Sequence, residues 1–221
     1  MAGTDKAETI RRLFAAYLAN DRKFVEDALS AHQRPKVDRY PTHAFVTCHS
    51  IRWQGETRTI ATTEIDCFVG DRWLITVRKD EAFAAPAPLD RWEQSSNLRE
   101  QGVGFLLYAL PDLVVDGFFE AVTGFDDNYD QVSEGLFADT PLDPRQQRDW
   151  FEARRSLVQF HKLVAPMREV VSGLMRREHG AVAEPLYPYY QDVYDHVLRV
   201  VESTDALRDL VAAVVRLHHV L

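Results

Sequence analysis

An apolar repeat of seven residues runs twice through the second half of the chain and restricts the fold more than any other feature. Trp150, Leu157, Val164 and Val171 hold one heptad position, and Ala153, Phe160, Met167 and Leu174 hold the other. This period suits a helix that buries a narrow stripe and does not suit a strand. At 1.5 Å per residue the run extends for roughly 54 Å. Asp143 is placed to act as N-cap, with Pro144 at the first helical position and Gln146 completing a capping box. Pro166 falls inside the run and is expected to kink the helix rather than end it.

The second repeat sets Val193, Val200, Leu207, Val214 and Leu221 in one register and Val197, Thr204, Val211 and His218 in the other. Thr204 and His218 put polar groups at interior positions, a pattern that sets register and oligomer state more than it adds stability. The repeat is still running at Leu221, with no Gly, Asn or Pro stop. A helix more than ~45 Å long with one apolar face needs cover. Identical helices of sister protomers are expected to supply it.

Before the heptads the period changes. Ile10, Leu13, Phe14 and Leu18 follow a helical spacing over 6–19, and a second short helix is expected at 24–29. The stretches 43–52, 57–69 and 72–79 are rich in Val, Ile, Thr, Phe and Trp, and are separated by a Trp-Gln-Gly-Glu turn and by Gly70-Asp71. They predict a three-stranded antiparallel meander. A Pro- and Ala-rich connector at 82–90 closes the sheet region. The fold class is therefore α+β, with a small antiparallel sheet and helices over 1–97 followed by long helices over 98–182 and 183–221.

The balance of 34 acidic against 26 basic residues gives a net charge of -8. This repels phosphate backbones and argues against nucleic acid as a partner. Cys48 and Cys67 stand singly in apolar stretches, as buried thiols of a cytosolic fold do. The first residues lack the pattern of a signal peptide, and no apolar run reaches the ~18 residues of a membrane helix. As given, the chain reads as soluble.

No phosphate loop, nucleophile elbow or zinc spacing is present in the sequence. His43 and His49 share one strand face and read as surface or half-buried histidines, not ligands. Carboxylates form the constellation that matters. Asp112, Asp116 and Glu120 recur every four residues, followed by Asp126, Asp127, Asp130 and Glu134. Such a face is commonly just solvated. The functional alternative is a hydrated divalent cation, because Mg2+ keeps several waters and needs only one or two carboxylates. Asp192 and Asp195 are similar, although Arg199 is spaced to pair with Asp195.

Particular blocks carry more than these patterns. Val-Glu-Asp-Ala-Leu at 25–29 precedes QRPKVDRY at 33–40. FLLYAL at 105–110, LVVDGFF at 113–119, LVAPMREVVSGL at 163–174 and YYQDVYDHVLRV at 189–200 follow in order. Together they resemble the cytoplasmic region of CorA-type magnesium transporters over nearly the whole chain. The resemblance implies a homopentamer at the cytoplasmic face of the membrane, with an α/β/α funnel lobe, two antiparallel helices and a stalk that leads into membrane helices absent from this sequence. It implies regulatory Mg2+ held between protomers: Asp27 matches the lobe carboxylate, Asp192 the neighbour's stalk carboxylate, and Glu26 and Asp116 supporting acids of a second, weaker ion. The Gly-Met-Asn pore signature is absent from the sequence, and related transporters carry Zn2+ or Co2+ on the same architecture. Other readings are a stand-alone cytosolic scaffold and a metal-dependent hydrolase using Asp192, Asp195 and His196. The second lacks a nucleophile and a closed ligand set, so no enzyme is expected.

Overall fold

The computed structural model describes residues 33–41, 43–78, 90, 93–95, 98–136, 144–176 and 182–218. The helices expected at 6–19 and 24–29, most of the connector at 82–90, and Asp143 lie outside the described residues. Residues Arg34–Leu221 form one compact unit. Its strands are β1 (Lys36–Tyr40), β2 (His43–Gln54), β3 (Thr59–Gly70) and β4 (Trp73–Arg78). Its α-helices are α1 (Val103–Leu136), α2 (Pro144–Val164), α3 (Met167–Met175) and α4 (Tyr187–His218).

The strands form one antiparallel sheet in the order β1-β2-β3-β4. It has four strands, not the expected three. The addition is β1, whose pairing with β2 runs from Lys36 opposite Thr47 to Tyr40 opposite His43. Its Lys-Val-Asp-Arg-Tyr sequence does not alternate, because charged residues occupy most of an outermost strand and discourage pairing with other chains. Lys36 bonds Asp38 at 2.5 Å and lies over the Phe45 ring at 5.3 Å.

Cross-strand pairs give the two faces of β2 and β3 different characters. Val46 opposite Cys67 and Cys48 opposite Ile65 belong to the main apolar core. On the alternate positions Phe45 meets Phe68 with centroids 4.8 Å apart, Thr47 donates to Asp66 at 2.8 Å, and His49 lies 3.7 Å from Glu64. Each is a directly opposed pair, the unit of sheet stabilisation. His43 and His49 are both buried, which departs from the surface or half-buried expectation. Cys48 and Cys67 are buried and free. Loss of hydration, reinforced by the nearby Asp66 charge, pushes the Cys48 thiol up to about 12. Burial and then the neighbouring Cys48 raise Cys67 as well. Both remain neutral thiols.

The turns differ in detail from their sequence signals. Between β3 and β4 the turn residues are Asp71 and Arg72. Gly70 ends β3, where a Cβ would come within 2.3 Å of the Trp73 indole. Between β2 and β3 the left-handed residue is Arg58, at φ 55°, rather than Gly55. Arg58→Gly is therefore expected to stabilise the fold by about 0.5–1 kcal/mol, since a left-handed L-residue costs ~1–2 kcal/mol and glycine's extra chain entropy offsets part of the relief. Urea titration of the variant checks this; a lower midpoint would contradict it.

The sheet rests on three helices. Gly117 brings α1 so close that a Cβ there would lie 2.5 Å from the Ile51 carbonyl oxygen, and Trp53 packs edge-on to Phe125 at 4.8 Å. The Ile60 amide donates to Ser156 of α2 at 3.1 Å. Arg39 of β1 donates to the Gly173 carbonyl in α3. The helices α1 and α2 are antiparallel: Phe118 meets Phe160, and Tyr129 meets Trp150. All eight residues of the first heptad seam are buried.

Two expectations about the seams need correction. The first run divides at Ala165–Pro166 into α2 and α3 instead of continuing as one kinked helix. Pro166 has no amide hydrogen to continue the ladder, and with φ -68° it becomes the N-cap of α3. The stripe nevertheless stays on one side across the break, with Val164 and Met167 both fully buried. The described part of the second seam, Val193 to Val211, is covered from within the chain, since α4 packs on α1, α2 and α3. Val193, Val197, Val200, Thr204, Leu207 and Val211 are all buried, so sister helices are not needed to cover these positions. Thr204 donates to the Val200 carbonyl of its own helix at 2.6 Å, which satisfies its hydroxyl without any partner helix. The side chains of Val214, His218 and Leu221 lie outside those described.

Candidate divalent-cation site

Two of the four expected ligands can be placed. Asp192 lies near the start of α4, and Asp116 in the first half of α1; both are exposed. Glu26 and Asp27 lie outside the described residues. The side chain of Asp192 is 65% exposed, and its Oδ1 is 3.7 Å from Nε2 of His196, one turn later on the same helix. The His196 ring stands edge-on to Phe119 of α1 at 5.6 Å, and the Arg199 guanidinium lies over the same ring at 5.8 Å. Phe119 is three residues from Asp116, so this aromatic contact sets the Asp116 and Asp192 turns beside each other on two packed helices.

The acidic run on α1 is less uniform than its spacing suggests. Asp112 is buried, and its Oδ1 accepts from the Tyr108 hydroxyl at 3.2 Å. Asp116, Glu120, Asp126, Asp127 and Asp130 remain exposed. Asp195 accepts from Gln191 at 2.9 Å, while Arg199, the partner expected from its spacing, is turned to Phe119. Nearby, Tyr190 is fully buried and donates to the Gly104 carbonyl at 3.1 Å; burial first, then electrostatic interaction with the Tyr108 hydroxyl, raises its hydroxyl well above the usual phenol value. This ties the start of α4 to the start of α1.

Among the described residues, no three His, Cys, Asp or Glu side chains converge to hold a metal ion. Asp192 therefore offers an open, water-facing carboxylate rather than part of a closed cage. That is compatible with Mg2+, which needs few protein oxygens and keeps its waters. A second polar cluster escaped the sequence reading: Asp205 Oδ1 lies 3.1 Å from His161 Nε2 and 3.0 Å from Arg208. It joins α2 to α4, and with 47 residues separating His161 from Arg208 no local spacing could have shown it.

With this geometry established, the comparisons with known proteins decide the family. The model for the CorA-like Mg2+ transporter protein matches residues 4–220. The chain belongs to that family. CorA relatives include the putative metal ion transporter YfjQ of Bacillus subtilis, 25% identical over 186 residues, which span 84% of this chain and 56% of that protein. The cobalt/magnesium transport protein CorA of Thermotoga maritima is 25% identical over 189 residues, 85% of this chain and 53% of that one. The chain thus spans about half the length of these CorA relatives. In structure it matches the soluble domain of CorA from Methanocaldococcus jannaschii with a TM-score of 0.74 and 17% identity, covering 95% of this chain and 82% of that domain. This likeness shows the α+β fold, a small antiparallel sheet followed by long helices. No described helix is long and apolar enough to cross a membrane.

Proposed function

We propose that this chain is the cytoplasmic regulatory region of a divalent-cation transporter, and that it controls a pore formed by segments outside this sequence. The observation that carries the reading is the family match across residues 4–220. The exposed Asp192 carboxylate on α4 adds to it. In this reading residues 1–97 form the lobe, 98–182 the hairpin and 183–221 the stalk, and five copies assemble at the cytoplasmic face of the membrane. Mg2+ bound by Asp27 of one protomer and Asp192 of the next favours the closed assembly, with Glu26 and Asp116 supporting a weaker ion. Two carboxylates brought together repel, so a bridging cation acts only through its greater affinity for the arrangement that unites them. The role is non-catalytic.

The test compares sedimentation velocity and limited trypsin digestion with and without ~10 mM Mg2+, a concentration suited to weak oxygen sites. Association or protection should appear with Mg2+ and vanish in the Asp27→Ala, Asp192→Ala double variant. An undiminished response in that variant would sink the assignment.

Selectivity for Co2+ or Zn2+ has one observation in its favour, the His196 imidazole beside Asp192. Neutral imidazole suits these ions better than it suits Mg2+. Protection that appears at far lower Co2+ than Mg2+, and shifts back with His196→Ala, would select that reading.

A further inference from the structure

Where one end of the sheet meets the start of α1, the fold leaves an open cavity of about 980 Å3. That is the upper end of the ~300–1,000 Å3 range of small-molecule sites. Its walls are the end of β1, the start of β2, the turn between β3 and β4, and the residues that lead into α1. All of them belong to the compact unit 34–221.

The lining combines three kinds of group. The first is cationic: Arg39, half-buried and donating to the Gly173 carbonyl, and the exposed Arg72. Beside them α1 begins at Gly102-Val103-Gly104, with no acidic residue in its first turn. The first amides of a helix lack intrahelical acceptors and carry the positive end of its dipole. Gly102 has φ 57°, and a Cβ there would meet nothing within 4 Å, so this stretch of backbone can be approached closely. Guanidinium groups and helix amides together suit a ligand that presents several anionic oxygens.

The second kind is aromatic. Tyr40 and His43 stack with ring centroids 4.6 Å apart and planes 10° from parallel, and Trp73 stands 6.3 Å from His43. His43 is only 8% exposed, so packing fixes this flat wall in place. Heteroaromatic bases stack on such rings whatever their sequence identity. The third kind is a pair of exposed carboxylates, Asp71 and Glu100. They accept hydrogen bonds from hydroxyl groups and repel a ligand that is anionic throughout.

We propose that this cavity binds a nucleotide. Its phosphates lie on Arg39, Arg72 and the start of α1, its base against the Tyr40 and His43 wall, and its sugar hydroxyls toward the two carboxylates. The position also gives the ligand a route to α4. Ala183, on the approach to α4, lines the cavity, and Gly104 in its wall accepts from Tyr190 of α4. A ligand that orders the start of α1 therefore steadies the part of α4 that carries Asp192. The inference goes beyond the proposed function: it needs no divalent cation and uses none of Glu26, Asp27, Asp116 or Asp192 as a ligand.

The test is isothermal titration calorimetry of the full chain with ADP in EDTA, where saturable binding is expected. Adenosine and pyrophosphate each carry half of the ligand, and each should bind at least about tenfold more weakly than ADP. Tyr40→Leu removes the ring and should weaken ADP by about tenfold, the effect of losing a stacking platform, without changing pyrophosphate. Arg72→Glu, at an exposed turn, should weaken both ADP and pyrophosphate by about tenfold or more. Both variants should keep the parent circular dichroism. Hydrogen exchange over 187–194 should slow with ADP in the parent chain and stay unchanged in Arg72→Glu at the same concentration. No binding at ~1 mM ADP, a level that detects even weak sites, would overturn the proposal. So would ADP binding that both variants leave intact, or pyrophosphate binding as tightly as ADP, the behaviour of a plain anion site. ADP binding that leaves exchange over 187–194 unchanged would overturn the link to α4. ADP binding in EDTA without any Mg2+ response would reject the sensor and leave this site standing; a Mg2+ response without ADP binding would do the reverse.

Discussion

Phe160→Ala is expected to destabilise the fold by about 3–5 kcal/mol, the range for truncating a buried phenylalanine without collapse of the site. The ring is fully buried and meets Phe118 at 6.0 Å, edge to face, and Phe125 at 5.5 Å. Removing it takes away apolar burial and leaves a cavity between α1 and α2. Against the ~5–15 kcal/mol that holds a typical domain together, this is a large share. Urea unfolding followed by far-ultraviolet circular dichroism should show a much lower midpoint. Phe151→Ala on the same helix is the control: its ring is 63% exposed, and in dilute solution the change should stay within about 0.5 kcal/mol. Equal effects from the two variants would contradict the packing of α1 on α2.

Gly117→Ala tests the contact between α1 and the sheet, and here the sign is as informative as the size. In an open helix interior, alanine in place of glycine stabilises by roughly 0.5–1 kcal/mol. At this position the new Cβ would lie 2.5 Å from the Ile51 carbonyl oxygen. That oxygen belongs to the backbone of a central strand and cannot rotate away, so α1 must lift or β2 must bend. Overpacking of this kind costs about 1–3 kcal/mol, occasionally more, and outweighs the helix preference. A variant more stable than the parent chain would show that the helix does not approach β2 this closely. Gly124, whose Cβ would meet the Trp53 indole at 2.4 Å, should respond less if the indole can shift.

Much of this fold was legible in local pattern. The heptad positions from Trp150 to Leu174 named the buried stripe of α2 and α3 residue by residue, because side-chain direction repeats with the helix and a stripe of one period has one inward side. Alternation and β-branched residues located β2, β3 and β4 in the same manner. The exposed stations of Asp116 and Asp192 also follow from their offset to the apolar positions. Other features depend on where the chain returns to itself. The strand β1 carries too few apolar residues to announce itself and exists because β2 pairs with it. Asp112 has the same spacing as Asp116 and Glu120 but is buried with Tyr108. A periodic sequence states that one face of α4 must be covered, but not by what; α1, α2 and α3 cover it because the chain folds back on itself before α4 begins. The link of His161 to Asp205 and Arg208 arises from the same fold-back. Periodicity is a property of neighbours in sequence and decides which side of an element is apolar. Which surface meets that side is a property of the chain's path, and only the packed structure holds it.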